Sequence, residues 1–543
     1  MRLLTLGTYP FAKPRHGGQL RLDAIHRHLR EAGWLTEHFA VSPRNAYEGA
    51  AEDPDVVEIS AEYTARLAAD RQRTDVHASD YLLGDERAFR QFSAKIDELS
   101  PDVISLGQPW LWPALKRYFA NNDDRQNTLV VYSSQNVEAT LIRDEQRDTN
   151  LFSAAEAEAA WLIEDDLVRR ADGVVAVSRT DAATFAELNE HVHLAPNGIS
   201  SMSVPTGIEY WQEHLRNTNS AIFAGSAHGP NATGFVACML NPALGYLPPD
   251  CSITVVGGVG DLLLADQRFR RHYGTNLARL TLAGVQDPGG FSTLFGLAKL
   301  VLLPLTTGGG TNIKTAEALY SRKPIVATRM ALRGYEAYLD MPHLRVAEPG
   351  ADFARAVAEE LQQHRTIEFS EDEARLLDEL QWDRTLSGIA PWLTDLVARN
   401  PHVERQPRWL GVRSGLRQVL VDNWHGVEPL GVWSYDRTAT LRLPRVLAEE
   451  LPKQASFDVT GFLGDQNHLF VGIRIGDEIR AHSAFVKGRE RQIIDVPLDP
   501  RDWAADGFLE VAIVASHVLS PASDGASTDG RDLAVMLHRI SLV

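Results

Sequence analysis

The stretch at positions 300–328, LVLLPLTTGGGTNIKTAEALYSRKPIVAT, constrains the fold more than any other part of the chain. An apolar run from Val301 to Pro304 predicts a buried parallel strand, and the run from Ile325 to Thr328 predicts a second one. Three glycines, Gly308 to Gly310, and a helical segment lie between the two runs. Strand, glycine loop, helix and strand form a βαβ unit, so the sequence predicts an α/β protein with a parallel sheet.

The glycine loop and the start of the helix have the composition of an anion site. Glycines let backbone N–H groups approach an oxyanion, and a helix N-terminus adds partial positive charge. Thr311 and Asn312 are expected to cap the helix. Lys314 lies in the first turn, where a cation opposes the dipole unless an anion is bound, and Glu317 lies on the same helix face. The alternative is an ordinary turn with a Lys–Glu surface pair, but the coincidence of these features favours a phosphate site.

These residues resemble the donor-site signature of retaining GT-B glycosyltransferases of family four, which take sugars from sugar nucleotides. Many members carry two glutamates eight positions apart; here the second matches Glu317, whereas the first position holds Gly309. A GGGT loop with a lysine resembles one subgroup of that family. The resemblance implies two Rossmann-like domains that face each other across a cleft and a nucleoside diphosphate sugar as donor.

Length and charge limit the remaining classes of protein. A chain of 543 residues is expected to form more than one domain. The net charge of −18 argues against nucleic acid or an anionic membrane surface as the main partner. Two cysteines, Cys238 and Cys251, form neither a disulfide framework nor a zinc motif. Without an apolar run of membrane-span length or a signal peptide, we expect a cytoplasmic protein, with peripheral membrane contact left open.

The N-terminal segment has a Rossmann-type opening. Leu3 to Leu6 predicts a strand, and the pair Gly17–Gly18 lies near the start of the helix that follows. The pair is compatible with a simple tight turn, but in the resembling family such a pair approaches the donor diphosphate from the first domain. Lys13, Arg15 and His16 beside it would then supply positive charge.

Two further loops after strands predict the acceptor side of the cleft. The loop GQPWLWPAL contains Gln108, Trp110 and Trp112 at the edge where an α/β sheet displays ligands. A tryptophan ring packs well on a sugar but equally well in a core, so both interpretations stay open. In the loop SSQNVEA the resembling family carries a histidine near the transferred sugar, whereas this chain has Gln135, followed by Glu138. Because glutamine cannot carry a proton, a general base at this position is excluded.

The second Rossmann-type domain is expected to begin near Ser220. Ser226 and His228 lie in the loop after its first strand, where most family members also hold an Arg and a Lys that grip the diphosphate. The segment from Phe223 to Phe235 contains neither residue type. Either His228, Lys314 and the N-terminal loop take over this role, or the affinity for phosphate is weak.

Changes of pattern along the chain predict the domain organisation. Positions 46–80 show mixed polar sequence with little periodicity and are interpreted as an insertion. After about Gly411, segments such as TATLRL and HLFVGIRI alternate apolar and polar residues, which predicts a β-sandwich that resembles jelly-roll modules appended to bacterial glycosyltransferases. The predicted parts are an N-terminal acceptor-side domain at 1–200, a donor-nucleotide domain at 201–370, a helix crossing back to the first domain at 371–400, a linker at 401–412 and the sandwich at 413–543.

The predicted reaction is transfer of a hexosyl group from a nucleoside diphosphate sugar to a glycan or lipid-linked acceptor in surface polysaccharide biosynthesis. The resemblance implies retention of anomeric configuration, and neither a metal ion nor a cofactor is expected. Two alternatives remain: a sugar-nucleotide epimerase and a non-catalytic glycan-binding protein on the same scaffold. The predicted catalytic residues are Gln135, Lys314 and Glu317. The predicted donor-binding residues are His16, Gly17, Gly18, Ser226, His228, Gly308, Gly309, Gly310, Thr311, Asn312, Lys314 and Glu317, and the acceptor-binding residues are Gln108, Trp110, Trp112 and Glu138.

Overall fold

The computed structural model describes residues 1–121, 128–149, 153–200, 202–308, 311–363, 366–399, 409–411, 416–428, 430–444, 452–504, 507–524 and 529–542. The strands are β1 (Arg2–Gly7), β2 (Leu35–Pro43), β3 (Val56–Ile59), β4 (Val103–Leu106), β5 (Leu129–Ser133), β6 (Gly173–Ala176), β7 (Val192–Leu194), β8 (Asn219–Ala224), β9 (Cys251–Val256), β10 (Leu280–Gly284), β11 (Leu300–Leu303), β12 (Ile325–Ala327), β13 (Leu344–Val346), β14 (Trp409–Gly411), β15 (Val432–Trp433), β16 (Thr438–Pro444), β17 (Gln454–Gly461), β18 (His468–Ile475), β19 (Glu478–Val486), β20 (Arg491–Pro497), β21 (Phe508–Ala515) and β22 (Val535–Leu542).

The helices cover the faces of the sheets or connect the domains. They are α1 (Gly17–Glu31), α2 (Ala61–Ala69), α3 (Ala78–Gly84), α4 (Glu86–Leu99), α5 (Trp112–Asn121), α6 (Glu138–Thr149), α7 (Ala154–Arg170), α8 (Arg179–Ala186), α9 (Ile208–His214), α10 (Gly229–Met239), α11 (Val259–Ala265), α12 (Gln267–Arg271), α13 (Tyr273–Leu277), α14 (Pro288–Leu297), α15 (Ile313–Tyr320), α16 (Ala351–Gln362), α17 (Glu371–Asp378), α18 (Trp382–Thr385), α19 (Ile389–Arg399) and α20 (Leu416–Val419). Within the ranges given above, no helix is long and apolar enough to cross a bilayer.

The first domain is built on a parallel sheet in the order β3-β2-β1-β4-β5-β6-β7. Every residue of β1 is buried, as expected for a parallel strand covered by helices on both faces. The segment 46–80, interpreted as an insertion, contributes the edge strand β3 and the helix α2 to this domain. Its short strand pairs in parallel with β2, and a strand of four residues is too short to show a clear period in sequence.

The second domain repeats this topology in the order β10-β9-β8-β11-β12-β13. The predicted βαβ unit at 300–328 is confirmed: β11 and β12 are parallel neighbours, with Val301 opposite Ile325. In both domains the order of strands reverses beside the first strand, between β1 and β4 and between β8 and β11. At such a switch point the loops at the carboxyl ends of the two strands diverge and leave a crevice for a ligand.

Two segments connect the domains and contact each other. Ile199, on the way out of the first domain, donates its N–H to the Leu380 carbonyl at 2.8 Å and accepts from the N–H of Trp382 at 3.1 Å. After this crossing, Leu393 and Val397 of α19 pack with buried residues of β1 and α1. The C-terminal end of the second domain is therefore fixed to the back of the first.

Two antiparallel sheets form the C-terminal part, in the orders β14-β22-β17-β20 and β16-β21-β18-β19. Alternate residues of their strands meet in one apolar core, as the period of two predicts. The predicted linker at 401–412 is partly wrong, because residues 409–411 form strand β14; positions 401–408 and 412 lie outside the described residues. Leu35, the first residue of β2, belongs to the same buried cluster as the sandwich core. The sandwich therefore adjoins the amino-terminal edge of the first sheet, at the end of the strands opposite the switch-point loops.

Candidate functional site

The described donor residues predicted on the two domains lie on loops after parallel strands or in the helices that follow those loops. Gly17, the first residue of α1, would place a Cβ 3.7 Å from the Cδ1 of Ile313, the first residue of α15. The N-termini of these two helices therefore converge from opposite domains. Each helix N-terminus carries unpaired N–H groups and partial positive charge, so the space between them suits an anion.

Gly18 faces the first-domain side of this cleft. A Cβ on Gly18 would collide with the Tyr9 hydroxyl and with Oε1 of Gln135, so only glycine fits here without displacement. The Tyr9 hydroxyl donates to Gln135 Oε1 at 2.7 Å, and Nε2 of Gln135 has no hydrogen-bond partner among the described residues. Because Oε1 accepts the hydrogen bond from Tyr9, Nε2 is left to donate a hydrogen bond to a ligand in the cleft.

The loop before α1 provides less charge than its sequence suggests. Arg15 and Lys13 both pair with Glu48 and remain exposed at the surface. Burial lowers the pKa of His16 to about 4, so its imidazole is neutral at physiological pH. Glu48 offsets one of the two positive charges and desolvation leaves His16 neutral, so the three residues together bring less positive charge than their sequence suggests.

Glu138 is the first residue of α6 and is almost fully buried. Asn136 donates to its carboxylate at 2.9 Å, and burial raises its pKa. The start of the helix is fixed by Glu164, which accepts from the backbone N–H groups of Glu138 and Ala139 at 3.0 and 2.7 Å. Burial raises the pKa of the Glu164 carboxyl to about 7.

The other predicted acceptor residues are buried, and the described hydrogen bonds of their side chains lie within the first domain. Trp110 is 1% exposed and packs in a small core with Val76 and Ile142. Trp112 is also buried, and its indole N–H donates to Asp166 at 2.8 Å. Gln108 lies at the switch point, but its Oε1 accepts from the N–H and hydroxyl of Thr8 at 3.1 and 3.0 Å. These side chains support the sheet edge from within.

On the second domain, Thr311 lies in the loop before α15 and is hydrogen-bonded to the first domain. The Asn197 amide donates to the hydroxyl and carbonyl oxygens of Thr311 at 2.9 and 3.0 Å. Asn312 occupies the N-cap position of α15 but makes no side-chain capping bond, so the expected capping by Thr311 and Asn312 side chains is wrong. The carbonyl oxygens of Gly308 and Asn312 accept from Arg333 and Tyr335. Gly309 and Gly310 lie outside the described residues.

Lys314 points from α15 toward the loop after β8. Its Nζ donates to Oδ1 of Asn231 at 2.8 Å, and Asn231 in turn donates to the Ser226 carbonyl at 3.1 Å. Burial lowers the pKa of the Lys314 amine to about 8, and the nearby Glu317 opposes this shift. Burial raises the pKa of Glu317, partly offset by Lys314. Because the Asn231 amide is neutral, this hydrogen bond does not offset the positive charge of the lysine, which stays available to an incoming anion.

Ser226 and His228 are exposed on the loop that leads into α10. Partial desolvation lowers the pKa of His228, and residues of both domains act on it: Glu145 raises the pKa, whereas Lys314 and Arg73 lower it. The loop after β8 therefore faces the first-domain residues Arg73 and Glu145 across the cleft.

The comparisons with known proteins agree with this geometry. Residues 2–198 match the glycosyl transferase 4-like domain. The complex of HepE from Anabaena with UDP and glucose has a TM-score of 0.51 at 15% identity, covering 73% of this chain and 100% of that chain. Its complex with UDP has a TM-score of 0.50 at 16% identity and covers the same shares, 73% and 100%. The fold is GT-B. No curated protein sequence matches the chain.

Within this GT-B cleft, sequence reasoning missed a charged group on the first domain. Arg73 donates to both carboxylate oxygens of Asp75, at 3.0 and 2.8 Å, and to Glu145 at 3.2 Å. Asp75 also raises the pKa of Tyr9 and Tyr47. Because Tyr9 bonds to Gln135, the charged group formed by Arg73, Asp75 and Glu145 lies near Gln135. No signal in the sequence marks these residues, because Arg73 and Asp75 lie in the segment interpreted as an insertion.

Arg21 is a second residue of the site that sequence reasoning missed, but its spacing in the sequence could have identified it. It follows Gly17 and Gly18 by four and three positions on α1, so all three lie on one helix face. Its Nη1 donates to Oδ1 of Asn197 at 3.3 Å. A basic residue on the helix face that carries the glycine pair could have been expected at the cleft.

Proposed function

We propose that this protein is a glycosyltransferase that moves a hexosyl group from a nucleoside diphosphate sugar to a hydroxyl of a glycan or lipid-linked acceptor. The observation that carries the proposal is the convergence of the α1 and α15 N-termini from opposite domains, with Lys314 beside them. Such an arrangement suits a diphosphate, which carries more negative charge than a sugar or a nucleoside alone. The UDP bound to HepE in its solved complexes supports uridine diphosphate sugars as the first donors to test.

The donor is proposed to lie across the cleft. Backbone N–H groups at Gly17–Gly18 and in the loop at 308–312, together with Lys314, would hold the diphosphate. Glu317 would accept hydrogen bonds from the ribose hydroxyls, as the resemblance implies. Helix dipoles and the lysine would supply the charge stabilisation that a divalent cation gives elsewhere, so activity should persist in the presence of a chelator.

The proposed chemistry needs no protein base. The bond between the anomeric carbon and the diphosphate oxygen breaks, the acceptor oxygen bonds to the same face of that carbon, and the acceptor proton passes to the departing diphosphate oxygen. The protein would align the two substrates and stabilise the leaving group. Gln135 would donate from its free Nε2 to a sugar oxygen, held in that orientation by Tyr9.

The acceptor is proposed to bind on the first-domain wall beside Gln135. Arg73, Asp75 and Glu145 present partly exposed charged groups that would hydrogen-bond sugar hydroxyls, whereas Glu138 and the tryptophans expected there are buried. A polar wall of this kind suits the saccharide portion of a glycan or lipid-linked acceptor, as required in surface polysaccharide assembly.

Calorimetric titration with UDP-, GDP- and ADP-sugars, followed by transfer assays with saccharide acceptors, tests the proposal. Donor binding with acceptor-dependent release of the diphosphate and an unchanged anomeric configuration is the expected result. Donor binding without transfer to any acceptor would favour the non-catalytic alternative. Conversion of the donor into its epimer without an acceptor would favour the epimerase.

A further inference from the structure

Arg21 is a cation buried at the junction of the two domains. Its side chain is 1% exposed, and its Nε and Nη2 atoms have no hydrogen-bond partner within the described part of the chain. Among the residues that the structure describes, no carboxylate forms an ion pair with it; Asp181 and Tyr335 act on it only from a distance. Burial lowers the pKa of the guanidinium to about 10, so the group is still charged at neutral pH. A desolvated charge without a counter-charge destabilises the unliganded protein.

In the part of the chain that the structure describes, Arg21 makes one hydrogen bond, which leads through Asn197 to Thr311 in the loop before α15. Nη1 donates to Oδ1 of Asn197, and Nδ2 of the same amide donates to both oxygens of Thr311. An amide that receives a hydrogen bond on its oxygen from Arg21 must direct its NH₂ group to the other side. Arg21 therefore fixes the orientation of Asn197, and Asn197 fixes the position of Thr311 in the second domain.

Lys314 has a related environment on the second domain. It is half-buried and desolvated, and its Nζ donates to the amide oxygen of Asn231. In each case the hydrogen-bond partner of the cation is a neutral asparagine amide, which does not offset its positive charge. The nearby Glu317 carboxyl also acts on Lys314. The positive charges of Arg21 and Lys314 come from opposite domains and lie on either side of the loop before α15. Together they balance the negative charge of a diphosphate.

We propose that Arg21 and Lys314 are the two cations of the donor diphosphate site, one from each domain. Arg21 is a positioning residue, which acts through Asn197 and Thr311 and places positive charge behind the loop. The inference rests on the proposed nucleoside diphosphate donor. It adds that Arg21 supplies the second positive charge of the site, beside that of Lys314. The pair takes the place of the Arg and Lys that the resembling family carries after the first strand of its second domain and that this chain lacks there.

The test compares Arg21→Met and Arg21→Lys with wild type, using whichever of UDP, GDP and ADP the wild type binds best and the corresponding nucleoside. Arg21→Met is expected to weaken diphosphate binding roughly tenfold or more and to leave nucleoside binding within about twofold. Its melting temperature without ligand should be unchanged or higher, because methionine removes a buried uncompensated charge. Arg21→Lys should restore most of the diphosphate affinity. Arg27→Met, an exposed residue of the same helix paired with Asp23, serves as the matched control and should change nothing.

A purely structural role for Arg21 predicts the opposite pattern. Arg21→Met would then melt at a lower temperature and lose nucleoside and diphosphate affinity to the same extent, which would overturn the inference. Unchanged diphosphate affinity in a folded Arg21→Met protein would also overturn it and leave the proposed function intact. Absence of diphosphate binding by the wild type would overturn the proposed function itself, together with this inference.

Discussion

Replacement of Lys314 tests the donor site most directly. Lys314→Ala removes a charged hydrogen bond to phosphate, which is worth about 2 kcal/mol and corresponds to roughly 30-fold weaker binding of a nucleoside diphosphate. The fold should persist, because the lysine is held by a single hydrogen bond to Asn231. Calorimetric titration of the folded variant measures the loss directly.

The pH dependence of binding provides a sharper form of the same test. Because burial lowers the Lys314 pKa to about 8, the unliganded amine loses its proton as the pH rises through that value, and diphosphate affinity should fall between pH 7 and pH 9.5. Lys314→Arg keeps its charge throughout this range and should bind with little dependence on pH. Since the folded pKa of about 8 lies below the ordinary value of 10.5, unfolding takes up a proton between these values, so this group destabilises the unliganded protein below about pH 8 and ceases to do so as the pH rises toward 10.5.

Two results would contradict the proposed phosphate-binding role of Lys314. One is Lys314→Ala binding the diphosphate as tightly as wild type, which would move the phosphate site elsewhere. The other is an equal decline of affinity with pH in wild type and Lys314→Arg, which would assign the titration to another group.

Three further predictions follow from the same site. Glu317→Gln should weaken binding of nucleotide and free nucleoside alike, measured by calorimetry; an unaffected nucleoside would contradict the ribose role. Gly18→Ala should displace Gln135 and lower the transfer rate more than the donor affinity, whereas Gly296→Ala, whose Cβ meets open space, should be neutral; equal rates in all three proteins would show that the Gln135 orientation is unimportant. A chain ending near residue 400 should keep donor affinity, because the sandwich adjoins the opposite edge of the first sheet; loss of donor binding in a folded truncated protein would contradict this.

The two strands and the helix at 300–328 could be predicted because they depend on local chemistry. An apolar run on each side of a glycine loop has few other solutions than a βαβ unit, and the structure places β11, α15 and β12 there. The exposed or buried state of a side chain depends instead on the whole fold. Trp110 and Trp112 follow a sheet edge in sequence, but the neighbouring helices enclose both rings.

Charge was the least predictable property of the site. His16 is neutral because it is buried, and Lys13 and Arg15 pair with Glu48, which lies more than thirty positions away. Arg73 comes from a segment without periodicity, so its place at the cleft follows only from tertiary structure. Sequence identifies which groups can carry charge, whereas desolvation and partners decide which of them do.

The hydrogen bonds between the two connecting segments limit how the domains can move. Because Ile199 bonds to Leu380 and Trp382, the two connecting segments are held together at one place, and we expect the cleft to open by a rotation of the domains about this pivot. In a rotation, displacement grows with distance from the axis. Asn197 lies two residues from the pivot, so its bonds to Thr311 should persist while the cleft opens, and the gap between His228 and Arg73 should widen further. Donor exchange would then require only the outer part of the cleft to separate, with the loop anchored near the axis throughout.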